Sequence, residues 1–237
     1  MNKKIIIAIA FFVLTASAIA ISQVVTTVVS LTGSVFDAVT YQPVSAILKV
    51  TDENGKTVNG ARSNGAEDGY YYITGLEPGK TYYVELIKRN YFKEKYEIKL
   101  PKTNKYKEMS KDFTIKPKEK DSRIPILVPP FERNKSKLRF GHEELLLDFQ
   151  TTLLYNAKVK FEIVCFPDND YDKAFNKKLT QERCESLKQY FMKSGVDESR
   201  ITLKGNDKTD PENPPPTASQ AKGKRYIGTT YIVVKSF

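Results

Sequence analysis

One histidine and two cysteines are all that this 237-residue sequence offers to nucleophilic catalysis or to zinc. A structural zinc site takes four Cys or His ligands, and a Ser-His-Asp or Cys-His catalyst needs a histidine held beside its nucleophile. The histidine, His142, stands in Gly141-His142-Glu143-Glu144 at the start of an expected helix, where a solvated first-turn residue is the plain reading. These residues point to a non-enzymatic protein without a metal or cofactor. Asp168-Asn169-Asp170-Tyr171-Asp172 sets carboxylates at positions 1, 3 and 5, as a calcium loop begins. Lys173 and Leu179 stand where such a loop requires Gly and Glu, which excludes it by its own pattern. After Pro167 the same run is a strong turn signal. Cys165 and Cys184 lie nineteen residues apart, so an oxidising compartment permits one disulfide, with two buried free thiols as the equal alternative.

The start of the chain bears on the compartment. Lys3 and Lys4 precede an apolar run from Ile5 to Leu14, and small residues follow with A-x-A spacing that ends at Ala18 or Ala20. That is the pattern of a secretory signal, expected to be removed as residues 1–20. An uncleaved anchor is the rival, but the apolar stretch is short for a bilayer span. The whole sequence carries 38 Lys and Arg against 28 Asp and Glu; without residues 1–20 the cations fall to 36 and the net charge is +8. A basic surface outside the cytoplasm suits an anionic envelope polymer or lipid headgroups. The cations are not concentrated in one block, and nucleic acid is not an expected partner.

The elements follow from periodicity. From 29 to 115 the pattern is that of strands: Val44, Ala46, Leu48 and Val50 alternate with outward positions, and 70–73 and 82–87 are rich in aromatic and β-branched residues. Asn54-Gly55, Asp68-Gly69 and Pro78-Gly79 supply turns between them. A small all-β sandwich is predicted here, with too few strands for a transmembrane barrel. A Lys- and Pro-containing linker is expected at 116–130, in which 124–128 starts the next sheet. From 131 to 237 the period changes. Leu146, Phe149 and Leu153 predict a helix over 141–156, and Val159, Phe161 and Ile163 a half-buried strand. A second helix is expected over 180–193, capped by Thr180, striped by Cys184, Leu187 and Phe191, and ended by Gly195. Tyr231 to Val234 is the last strand, which makes this an α+β domain of βαβαβ order.

Two resemblances attach to these segments. Leu31-Thr32-Gly33-Ser34-Val35-Phe36-Asp37, Gln42-Pro43-Val44, Gly69-Tyr70-Tyr71 and Gly75-Leu76-Glu77-Pro78-Gly79-Lys80-Thr81-Tyr82 resemble the carboxypeptidase-regulatory-like, transthyretin-like β-sandwich. Those are turn and core positions, so the resemblance implies a fold and an accessory role with an unknown envelope partner. The segment holds no histidine or cysteine, which leaves a hydrolase without its chemistry. The C-terminal part is similar to the peptidoglycan-binding domain of outer membrane protein A. The residues that carry this are Cys165-Phe166-Pro167-Asp168, then Asn176 with Leu179-Thr180-Gln181-Glu182-Arg183-Cys184, then Gly195-Val196 with Arg200-Ile201, and the degenerate Gly223-Lys224-Arg225. Cys165, Phe166 and Pro167 replace the family's Gly, His and Thr, and Gly223 and Lys224 replace its Asn and first Arg.

What the second resemblance implies is a site for the diaminopimelate of a peptidoglycan peptide stem, gripped by Asp168 and Arg183 with Asn176, Thr180 and Arg225 around them. Its chemistry is coherent. The ligand is a zwitterion, and a site for it needs an anion and a cation a few ångströms apart on rigid elements. Arg183, in the first turn of a helix capped by Thr180, would hold the carboxylate bidentately with free backbone N–H groups nearby. A disulfide between Cys165 and Cys184 would brace the two elements. The expected protein is periplasmic and tethers a partner or the outer membrane to the wall. The alternative is a fold of this kind that has lost its ligand and serves protein interaction.

Overall fold

A computed structural model describes residues 27–216 and 226–237. The expected signal over 1–20 and the residue Arg225 lie outside the described residues. The chain is mostly β, with twelve described strands and two described helices longer than one turn.

Residues 29–115 form two four-stranded sheets. In one, β1 (Val29–Asp37) pairs antiparallel with β4 (Tyr70–Leu76) and parallel with β7 (Lys107–Ser110) and β8 (Phe113–Ile115). In the other, the order is β3 (Thr57–Arg62), β2 (Ile47–Thr51), β5 (Thr81–Ile87), β6 (Glu94–Lys99). Alternation drives both: Val29, Leu31 and Val35 of β1 meet Leu48, Val50, Val84 and Leu86 of the second sheet in one shared core. Each fully buried aliphatic side chain there contributes about 1.5–3 kcal/mol of transfer free energy. The outward residue of β2, Ile47, is 51% exposed, as its place in the alternation requires.

The third sheet has the order β11 (Ile201–Gly205), β10 (Lys160–Cys165), β12 (Thr230–Ser236), β9 (Arg123–Pro125). Two helices, α1 (His142–Tyr155) and α2 (Lys173–Lys193), share a core with it. Leu146, Phe149 and Leu153 of α1 are buried, as are Cys184, Leu187 and Phe191 of α2. Gly195 follows α2 at φ +100°, a left-handed turn that ends a helix at little steric cost.

Two expectations are corrected. Helix α2 begins seven residues before Thr180, because the Asp172 carboxylate accepts from the Phe175 N–H and caps it there. Thr180 is therefore mid-helix, and its hydroxyl donates to backbone carbonyls instead, with Asn206 O at 2.8 Å. The head of the stretch 116–130 is buried, and β9 lies within the stretch. Lys116 is 3% exposed and donates to Glu94 Oε1 at 3.2 Å. The Thr152 hydroxyl of α1 donates to the other Glu94 oxygen at 2.6 Å, and the Lys116 ammonium lies 5.3 Å from the Phe149 ring centre. Ala38 and Phe92 join the core under the third sheet, so the two parts of the chain are packed together.

A buried pair of this kind is destabilising to break, because the survivor is left charged and without a partner. Glu94→Ala should lower the unfolding free energy by about 3–5 kcal/mol. A Glu94→Leu/Lys116→Met double variant should recover most of that loss. Urea unfolding of both checks it, and an additive double variant would show that the two residues do not act as a pair.

Candidate functional site

The buried stripe of α2 changes character along its length. Cys184, Leu187 and Phe191 make its second half apolar, while the first half presents Asn176, Thr180 and Arg183, each 0% exposed. Polar residues buried at helical spacing demand partners, and their partners define the candidate site.

Arg183 and Asp168 are brought together. Nη1 and Nη2 of Arg183 donate to Oδ1 and Oδ2 of Asp168, both at 2.8 Å, a bidentate pair whose two side chains are 0% exposed. Nε donates to Lys135 O at 2.9 Å, Nη2 also to Glu132 O at 3.1 Å, and Nη1 reaches Phe166 O at 3.5 Å. All five guanidinium N–H groups are thereby used. Asp168 accepts two further bonds, from Asn134 N at 2.6 Å on Oδ2 and from Gly228 N at 2.7 Å on Oδ1. Each carboxylate oxygen thus has two donors. The Phe131 ring centre lies 5.2 Å from the guanidinium carbon and adds a cation–π contact. Burial raises the Asp168 carboxyl pKa, but the Arg183 bond and charge, with the two backbone N–H groups, outweigh it and hold the group below the usual carboxylate value.

The remaining residues serve this arrangement from its edges. Asn176 donates from Nδ2 to Asn169 O at 2.6 Å and to Asp207 O at 3.2 Å, while its buried Oδ1 has no partner among the described residues. Since α2 starts at Lys173, Asn176 lies in the helix rather than in the connecting loop, and Arg183 lies too deep in it to share the helix N-terminus. Of the acidic loop, Asp170 accepts from the N–H and hydroxyl of Thr209 and Asp172 caps α2, so its carboxylates have separate structural partners. Cys165 and Cys184 are free and buried. The disulfide is absent from this structure; Cys184 points its thiol at Ile163 O, 3.4 Å away, and burial pushes the Cys165 thiol pKa well up. Arg200, from the third motif, is structural: it donates to Val159 O, Leu153 O and Asn156 O and ties β10 to the end of α1.

Sequence reasoning missed the groups that complete the pair. They are backbone atoms of 132–135 and of Gly228, whose chemistry no side chain announces. Gly228 has a steric signature only in three dimensions: a Cβ there would lie 2.0 Å from Phe166 O.

At neutral pH, Arg183→Ala leaves a buried carboxylate with only backbone donors and should lower stability by about 3–5 kcal/mol. Gly228→Ala should destabilise in the same direction by displacing its N–H from Asp168. For pH, the Asp168 pKa is depressed on folding. Its contribution is therefore present above the unfolded value near 3.9 and is lost as pH falls through the lower folded value. Asp168→Asn should flatten acid unfolding below about pH 4, and an acid limb unchanged in that variant would remove the pair from this role.

Residues 130–225 match the OmpA family. A curated relative, photosystem I P700 chlorophyll a apoprotein A2 of Gloeobacter violaceus, is 25% identical over 119 residues, covering 48% of this chain but only 14% of that protein's length. Of solved structures, the OmpA-like domain of a Francisella tularensis protein is 15% identical with a TM-score of 0.35, over 45% of this chain and 70% of that one. The peptidoglycan-associated lipoprotein of Burkholderia pseudomallei is 17% identical with a TM-score of 0.36, over 44% and 86%. Residues 130–225 are an OmpA family domain within a longer, mostly β chain.

Proposed function

We propose that this is a non-enzymatic cell-envelope protein whose OmpA family domain associates with peptidoglycan peptide stems and tethers the rest of the chain to the wall. The observation that carries the reading is what the segment 132–135 gives to the acid–arginine pair. It offers two carbonyl oxygens to Arg183 and one N–H to Asp168. An amino-acid zwitterion offers the same set, a carboxylate to the guanidinium and an ammonium to the carboxylate. A diaminopimelate-type stem could therefore exchange with 132–135 without leaving a buried charge unpaired, which is the costly alternative. Gly228 N and the bidentate contact would hold the pair in place during that exchange. Lys135, Lys137 and Lys178 line an open cavity of about 380 Å³ with Ser136, Phe175 and Glu182, next to this pair, and add a positive field that salt weakens. In this reading the protein resides in the periplasm, and the two-sheet part, a transthyretin-like accessory domain over 29–115, meets an envelope partner.

One observation favours a second reading. The pair is already saturated by protein groups, as it would be in a domain that keeps the fold for protein interaction and has lost the ligand. Pull-down of the protein lacking residues 1–20 by purified insoluble peptidoglycan, at low and moderate salt, separates the two. Wall binding through this pair predicts retention at moderate salt, lost in Asp168→Asn and in Arg183→Lys variants that circular dichroism finds folded. Retention abolished by salt alone, or equal in the folded variants, contradicts it and leaves the interaction reading.

A further inference from the structure

The outer face of the first sheet is chemically uniform in a way the wall-binding reading does not use. Leu31, Tyr71 and Ile73 point into the core, so their neighbours along the strands point out. On β4 those neighbours are Tyr70, Tyr72 and Thr74; on β1 they include Ser30, Thr32 and Ser34, with Thr32 opposite Tyr72 and Ser34 opposite Tyr70. On the other flank of β1, Glu108 pairs with Ser30 and Ser110 with Thr32. Tyr106, just before β7, completes the face, and its hydroxyl lies 3.4 Å from that of Tyr72. The sequence is rich in lysine and arginine, 38 in all, yet the outward positions of these paired strand segments carry none among the described residues. Glu108 is the one charge at those positions among the described residues; the exposed Lys105 and Lys107 flank Tyr106 along the chain.

The hydroxyls are tied to one another. Tyr72 reaches from β4 across to β1, where its hydroxyl is 3.0 Å from Ser30 Oγ, and Ser30 donates to Thr74 Oγ1 at 2.9 Å. The Tyr72 phenol therefore extends from β4 over β1. Tyr70, Tyr72 and Tyr106 are nonetheless 46%, 45% and 57% exposed. Glu108 stands beside them as an acceptor, with Tyr106 donating to Oε2 and Thr32 to Oε1, both at 3.4 Å. Exposed aromatic rings, hydroxyls that both donate and accept, and one carboxylate acceptor suit a ligand with flat C–H faces and equatorial hydroxyls. The scarcity of cations on this face, on so basic a chain, disfavours a polyanion and favours an uncharged one.

We infer that this tyrosine face binds an uncharged polysaccharide of β-linked pyranoses, with sugar rings stacked on Tyr72 and Tyr106 and their hydroxyls bonded to Glu108 and the tyrosine hydroxyls. This is independent of the Asp168–Arg183 site and needs no peptide stem. The test is isothermal titration calorimetry at moderate salt with cellohexaose and chitohexaose, on the full protein lacking residues 1–20. Tyr106→Ala and Tyr72→Ala are compared with Tyr83→Ala, a tyrosine of the other sheet that stacks on Lys95. Binding of at least one hexasaccharide, weakened roughly tenfold by either of the first two changes and unaltered by the third, is expected. Tyr106 is the more exposed of the pair, which keeps the test valid if Tyr72→Ala unfolds. No heat with either hexasaccharide, equal affinity in Tyr106→Ala, or binding confined to a polyanion such as heparin would overturn the assignment. So would a change of oligomeric state in Tyr106→Ala without loss of sugar binding, which would make the face a contact between copies of the chain.

Discussion

A guanidinium and a carboxylate removed from water are tolerable only when every donor and acceptor is matched, and the C-terminal part of this protein is organised around one such match. Desolvating the two ions is unfavourable by several kcal/mol each, and their attraction offsets this only if the remaining hydrogen-bonding capacity is filled. Arg183 and Asp168 meet that condition by drawing in backbone from three separate places: the segment 132–135, the Phe166 carbonyl at the end of β10, and Gly228 before β12. The pair thus fixes how the loop before α1, the loop before α2 and the entry to the last strand sit together. In the polar half of the α2 stripe Arg183 reaches this junction while Asn176 and Thr180 bind carbonyls of Asn169, Asn206 and Asp207, and the apolar half holds the helix on the sheet.

Under the proposed function, the same arrangement connects stability with binding. A site that must be saturated to be stable can take a ligand only by exchange, and the ligand must then present the hydrogen-bonding groups it displaces. Two carbonyls and one N–H from a single short segment are a close chemical stand-in for a carboxylate and an ammonium. A simple anion or a simple cation would leave one member of the pair with an unmatched group. Selectivity for a zwitterion would follow from the burial itself. Elsewhere the buried Glu94–Lys116 pair, with the Thr152 hydroxyl, joins the two-sheet part to α1, so the two parts are coupled by packing as well as by chain connection.

Much of the fold could be read from apolar periodicity. Val44, Ala46, Leu48 and Val50, Leu146 with Phe149 and Leu153, and Cys184 with Leu187 and Phe191 are all buried, because burial is what imposes the spacing. The start of α2 was not legible for the same reason: the stripe there is Asn176, Leu179 and Thr180, which carries too little apolar signal to mark a helix. The Asp172 cap was hidden inside a run that also reads as a turn. Asp168 and Arg183 could be singled out through the resemblance of 165–184 to the OmpA pattern, and the structure does bring them together. Their backbone partners could not be, since a peptide N–H or carbonyl is the same in every residue. Nor could the Glu94–Lys116 pair, whose members lie 22 residues apart on different elements with nothing in the local pattern to join them.

The most direct test of this account is an amide NMR titration of the ¹⁵N-labelled protein with a soluble stem peptide containing diaminopimelate, following Asn134 and Gly228. Exchange of the ligand for 132–135 predicts a large shift at Asn134, which loses Asp168 as its acceptor, a new environment for the Arg183 Nε–H, and a small change at Gly228. Saturating peptide that leaves Asn134 and the Arg183 Nε–H unmoved would contradict it, and the pair would then be a structural clasp alone.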